Sequence, residues 1–320
     1  MNPTQHRILA RVTRVLAMLA LVLAAVAVMH LLTYSTRPHD PEPGNDFRSA
    51  YKVFSLTLPE RMDFCDEEVP LDRIDVRERL DRELLVNTYW QSNTLLAHKR
   101  AARWFPVIEP ILKEEGVPSD MKYLPLIESG FMHVVSPKGA SGYWQFMKET
   151  ATSHGLEVND EVDERYHVEQ STRAACALLR SAHAQFGSWA MAAAAYNLGS
   201  AGLQRRASAQ QQQNYYDLLL PEETSRYVFR LLAMKEIIGD PERYGFHLRR
   251  KDLYPPYSVR AVDVNTSIPD LTTFALSHGT DYKTLKTLNP WLRDTRLTNA
   301  KGRTYRIQLP GDGFNEGSRP

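Results

Sequence analysis

Cysteine is scarce in this 320-residue chain, and its scarcity excludes two classes of protein. Cys65 and Cys176 are too few to staple a small scaffold, and they stand in no metal-ligand spacing. A bridge between them stays open, although Cys176, inside the apolar run Ala174–Leu179, reads better as a small buried thiol. Excess charge of one sign is missing too. The 39 Lys and Arg face 38 Asp and Glu, a net charge of +1 that gives no footprint for nucleic acid. Among ten histidines, His133, His154, His167 and His183 show no ligand periodicity, so neither a metal nor another cofactor is expected.

Long apolar runs are also lacking, with one exception. Val15–Leu32 is almost wholly apolar and follows His6, Arg7, Arg11 and Arg14. It is near the minimum length for crossing the hydrocarbon layer, and the arginines would stay in the cytoplasm with everything downstream exported. Residues 1–35 are therefore expected to be a basic tip and an uncleaved membrane anchor. Ala25-Val26-Ala27 resembles a cleavage site, so removal as a signal peptide is the alternative.

Thr36–Asn45 carries three prolines, a glycine and charges, which cannot form a packed element. With Asp46–Asp72 it makes a linker and extended arm over 36–72. From 73 to 246 the pattern is helical. The three- and four-residue steps predict helices over Val76–His98 and Ala101–Glu115, the second with Pro106 in its first turns. Ser119 or Asp120 can cap the next helix, with Gly130 as its terminator. Further helices are expected over Glu169–Phe186, over Trp189–Asn197 behind a Ser188 cap, and from Pro221 to Ile238. After the breaks at Pro241 and Pro255-Pro256, residues 257–310 read as strand, two short helices and strand: Val259–Val264, Ile268–His278, Asp281–Leu288 and Thr304–Leu309. Residues 311–320 read as a disordered tail. The fold class is thus α+β, predominantly α-helical.

One acidic residue stands out. Glu128 lies among Tyr123, Leu124, Leu126, Ile127 and Phe131, at the end of its helix. Desolvation and the negative end of the helix dipole both favour its protonated form. A carboxyl kept protonated near neutrality can act as a general acid, as in a glycosidase. A solvated glutamate at a helix end is the plainer alternative.

Around Glu128 the residues resemble a known family. Glu128-Ser129-Gly130-Phe131, Ser136-Pro137 and Gly139-Ala140-Ser141-Gly142-Tyr143-Trp144-Gln145-Phe146-Met147 resemble the catalytic motif of family 1 lytic transglycosylases, in particular their membrane-bound D type. Ala194-Ala195-Tyr196-Asn197-Leu198-Gly199 and Glu223-Thr224-Ser225-Arg226-Tyr227-Val228 resemble two further motifs, in the expected order. The resemblance covers about 100–244. It implies a lysozyme-like (goose-type, SLT) catalytic domain acting on peptidoglycan glycan strands, in the periplasm and held to the inner membrane through Val15–Leu32. It implies Glu128 as the catalytic acid, Gln145 and Met147 in the glycan groove, and Ser136 at the sugar or the carboxyl. Tyr196 and Asn197 would meet substrate or acid, and Tyr227 would orient Glu128. Residue chemistry adds that Gln145 offers both donor and acceptor to an N-acetyl amide, and that Gly139 and Gly142 permit close backbone approach where a sugar lies.

The 257–310 module resembles a degenerate βααβ LysM domain, a fold that binds chains containing N-acetylglucosamine. Asn265-Thr266-Ser267 replaces the usual Gly-Asp-Thr, so glycan binding and a purely structural role stand side by side. No second carboxylate suits catalysis in the matched motifs. The resemblance therefore implies that Glu128 acts as acid and then as base, giving a 1,6-anhydro product. A hydrolytic muramidase and a non-catalytic wall-binding protein are the rivals.

Overall fold

The computed structural model describes residues 13–14, 16–29 and 53–314. The tether Thr36–Asn45, most of the tail, and Val15 with residues 30–32 of the expected anchor lie outside them. In the N-terminal unit, residues 13–14 and 16–29 are helical (α1), with exposed apolar side chains. Among the described residues no helix is long and apolar enough to cross a membrane.

The described residues from 53 onward pack as one unit, predominantly helical with few strands. A short hairpin, β1 (Asp63–Phe64) and β2 (Glu67–Glu68), turns at Cys65 and Asp66, both at positive φ as a tight hairpin requires. Asp120 pins that turn by accepting from the Cys65 amide at 2.8 Å and from Lys235 Nζ at 2.9 Å. It does not cap a helix, as the sequence suggested; the one-turn 3₁₀ segment Ser119–Lys122 has no side-chain cap.

Helices α2 (Ile74–Tyr89) and α3 (Gln91–Glu114) meet at Trp90, not near Lys99 as the periodicity predicts. Pro106 and Pro110 both sit inside α3. Each removes an amide and crowds a carbonyl, yet the helix continues because its inward face, with Ile108, Ile111 and Leu112, is buried. In α4 (Tyr123–Ser129), by contrast, Pro125 occupies the first turn, where its missing N–H would have had no intrahelical partner. After the short α5 (Lys148–Ser153), α6 (Val168–Phe186) carries one apolar face. The alanine-rich α7 (Trp189–Leu198) fits between α6 and α9 (Glu222–Gly239), and small side chains let those backbones approach. Ser188 caps α7 by accepting from the Met191 amide. Helix α8 (Ser200–Gln210) completes the layer.

Beyond this bundle, β3 (Val259–Val264) and β4 (Tyr305–Pro310) pair antiparallel in the register Val259↔Pro310 to Val264↔Tyr305. Helices α10 (Leu271–Ser277) and α11 (Tyr282–Leu288) lie between them in sequence, capped by Asp270 and Asp281. This is the βααβ order read from the sequence. Its core, built on Leu271, Leu285, Leu292 and Ile307, also takes in Val162 and Tyr166 from the bundle. Cys65 and Cys176 are both free and buried, so the disulfide left open above is not formed.

Candidate active site

Glu128 sits one residue before the end of α4, and Gly130 (φ 58) and Phe131 (φ 55) then turn left-handed. Glycine adopts that conformation freely, and it stops the helix there. Two arginines answer the carbonyls at this negative end: Arg230 Nη2 donates to Ile127 O at 2.8 Å and Arg100 Nη1 to Gly130 O at 3.2 Å. The Ser129 hydroxyl lies 3.0 Å from Pro125 O and 2.9 Å from Tyr143 O, fastening α4 to the following loop.

That loop is held by its own backbone. Ser141 and Phe146 exchange both hydrogen bonds, at 3.0 and 3.1 Å. Ser136 makes a tight turn: its hydroxyl accepts from the Ala140 amide at 3.0 Å, and Gly139 (φ 87) closes the turn. Ser136 is thus engaged in the loop, with no hydrogen bond to Glu128. Gln145 spends both amide donors on the carbonyls of Gly142 (2.8 Å) and Val134 (3.1 Å), so only its carbonyl oxygen is left to meet an N-acetyl group. Contrary to the sequence expectation, Gly142 makes room for protein. A Cβ there would lie 1.9 Å from Arg165 O, so the close approach serves the protein's own backbone and not a sugar. Trp144 is buried and donates to Thr172 Oγ1 at 2.9 Å; Tyr143 is buried as well, so neither is an exposed stacking platform. Met147 is exposed at the start of α5.

Helices α7 and α9 bring the remaining residues. Tyr196 donates to Trp144 O at 2.6 Å, which ties the end of α7 to the loop. Asn197 Oδ1 accepts from Thr224 Oγ1 at 2.7 Å, and its Nδ2 donates to Glu223 Oε1 at 3.4 Å. Tyr227, fully buried on α9, donates to Glu128 Oε1. Of the six other residues singled out from the sequence, only Tyr227 hydrogen-bonds Glu128.

Burial pushes the Glu128 carboxyl above its ordinary range, and the negative charge of Glu223 adds to this. The Tyr227 hydrogen bond and the Arg230 charge oppose it. Burial, then Glu128 itself, holds the Tyr227 phenol far above its usual value, so it stays a donor at any working pH. Three participants were not picked out from the sequence: Glu223, Thr224 and Arg230. A signal existed, since 223, 227 and 230 recur at helical steps beside Tyr227. Glu222, Glu223, Arg226 and Arg230 line an open cleft of about 400 Å³ next to this face. A second cavity, of about 120 Å³, lies away from Glu128 between the bundle and the βααβ module, lined by Trp104, His133, Tyr143 and Trp291 among others. Among the described residues no cluster of three or more His, Cys, Asp or Glu could hold a metal.

Residues 105–219 match the family of the transglycosylase SLT domain. Residues 260–313 match the soluble lytic transglycosylase C-terminal LysM-like domain. The chain is 29% identical over 242 residues to membrane-bound lytic murein transglycosylase D of Escherichia coli K12, and equally to that of E. coli O6:H1. The match covers 73% of this chain and 51% of each relative, so the chain spans about half the length of the curated relatives it matches. In a solved structure, an inactive mutant of lytic transglycosylase Slt from Pseudomonas aeruginosa, the aligned part is 20% identical and covers 57% of this chain and 36% of that one, with a TM-score of 0.34. The SLT match ends before α9, so Glu223 and Tyr227 lie beyond it.

Proposed function

We propose that this chain, which carries an SLT transglycosylase domain and a LysM-like domain, is a lytic transglycosylase of peptidoglycan. Its bond would be the β-1,4 link between N-acetylmuramic acid and N-acetylglucosamine. The observation that carries the reading is Glu128 itself: a carboxyl pushed toward protonation by burial and held by a phenol that cannot take its proton. Glu128 gives its proton to the glycosidic oxygen as the C1–O bond breaks, and the substrate's N-acetyl group stabilises the cation left on C1. The carboxylate then takes the proton of the muramic C6 hydroxyl while O6 bonds to C1. The products are a 1,6-anhydro end and a free 4-hydroxyl, with no water consumed. Gln145, Met147, Tyr196, Asn197 and Ser136 form the groove around this centre, Gln145 through its carbonyl oxygen and Tyr196 by fixing the backbone of Trp144. The apolar run Val15–Leu32 behind its arginines supports anchoring to the inner membrane with these domains in the periplasm.

Mass spectrometry of fragments from purified sacculi tests the reaction. Anhydro ends are expected from the native chain, and Glu128→Gln, which keeps the shape and removes the proton, should release nothing. Fragments released by that variant at a substantial rate would remove Glu128 from the mechanism. Glu223 favours one second reading, hydrolysis by a muramidase, because a second carboxylate stands within electrostatic reach of the acid. Products heavier by one water would establish it.

A further inference from the structure

The segment Trp291–Arg303 of the LysM-like module is spent on the bundle. Arg303 Nη1 donates to Glu157 Oε2 at 2.7 Å and Nη2 to Glu164 Oε1 at 2.8 Å. Glu164 is buried, and a buried carboxylate left without its cation is costly. Nearby, the Asp163 amide donates to Trp291 O at 2.9 Å and the Arg293 amide to Glu161 O at 2.7 Å. Between these fastenings lies Arg165, itself buried. Its Nε and Nη2 fork onto Asp163, at 2.9 and 2.7 Å. Its Nη1 donates to Gly139 O at 3.1 Å and to Phe146 O at 3.2 Å, the two ends of the loop that carries Gln145. The Arg165 carbonyl fills the space that a Cβ on Gly142 would need. A continuous chain of bonds thus runs from Arg303 through segment 157–165 to the loop beside Glu128.

We propose that the C-terminal module is a brace for the substrate loop, and that Arg165 is the positioning residue through which it acts. "Substrate" rests on the function proposed above; the brace itself does not. The module's interface loop grips its own bundle, and Arg165 passes that constraint to Gly139 and Phe146. Lysine cannot replace the guanidinium fork, which holds a carboxylate and two carbonyls together.

The test is hydrogen exchange on the full chain, paired with kinetics on soluble glycan oligomers, for Arg303→Ala, Arg303→Lys and Arg165→Lys. In Arg303→Ala and Arg165→Lys the Ser141 and Phe146 amides should exchange about tenfold faster while those of Leu231 and Leu232 in α9 keep their rates, a local opening rather than global loosening. KM should rise about tenfold with kcat changed by less than about threefold and the pH profile unmoved, because Glu128 and Tyr227 are untouched. Arg303→Lys, which keeps the charge on Glu164, should restore most of the protection. Native exchange rates at Ser141 and Phe146 in both variants would overturn the proposal. So would equal acceleration in α9, or weaker sedimentation with peptidoglycan at unchanged exchange, which would make the module a glycan grip. If Arg303→Ala fails to fold, Arg165→Lys and Arg303→Lys decide alone. A native chain that releases no fragments, yet shows this exchange pattern in the variants, would sink the enzymatic reading and leave the brace standing.

Discussion

The phenol of Tyr227 hydrogen-bonds the carboxyl of Glu128 across 99 residues of sequence, from the second turn of α9 to the end of α4. A donor to a carboxylate stabilises its charged form, so this bond holds the Glu128 pKa down against the burial that raises it. In Tyr227→Phe the pKa should rise further. Activity that needs protonated Glu128 is lost as pH climbs through that pKa, so the alkaline limb of the kcat/KM profile should move to higher pH. Loss of orientation should lower kcat about tenfold or more.

Glu223→Gln should shift the same limb the other way. The Glu223 charge raises the Glu128 pKa, and its removal lets the proton leave at lower pH. Opposite movements of one limb in two variants on one helix would be hard to obtain from general loosening. A limb that moves upward in Glu223→Gln would contradict this electrostatic account.

Much of this arrangement was legible along the chain because its signals are local. Glu128 before a helix-stopping Gly130, and Tyr196-Asn197 at the end of α7, follow from apolar spacing and terminators within a few residues. What stayed hidden depends on distant partners. Pro106 argues for a helix start nearby, and only the buried face of α3 explains why the helix runs through both Pro106 and Pro110. Gly142 reads as a place for ligand until Arg165 is seen against it. Glu223 stood in a quoted motif, yet its influence on Glu128 comes from the packing of α4 on α9. Nor does any spacing reveal that Val162 and Tyr166 belong to the core of a module starting about a hundred residues later.

Gly142→Ala should be severely destabilising. The residue holds φ 78, where an L side chain costs roughly 1–2 kcal/mol. The new Cβ would also overlap a backbone oxygen that cannot rotate away. A loss of about 4 kcal/mol or more in denaturant unfolding is expected, or failure to accumulate folded protein. Gly139→Ala, with open space at its Cβ, should cost only the backbone strain.

Stability should fall on mild acidification. Burial pushes the imidazole of His98, packed on Phe246, down to about 4 from its ordinary value of 6.5. The unfolded chain therefore binds the extra proton first. The contribution is fully present above 6.5 and is lost as pH falls toward 4, roughly 2 kcal/mol between pH 6.5 and 5. His167, also pushed down to about 4 by burial, acts in the same direction. Chemical denaturation at pH 7 and 5 should show the loss, and His98→Leu should reduce it.

Both thiols of this chain are enclosed. Burial raises the Cys65 thiol far beyond its usual range and pushes Cys176 up to about 12. Only a thiolate attacks a disulfide or an oxidant, and neither sulfur yields one at working pH. In the folded molecule both sulfurs are therefore closed to thiol–disulfide exchange. With no bridge between Cys65 and Cys176, a reductant finds no bond there to break.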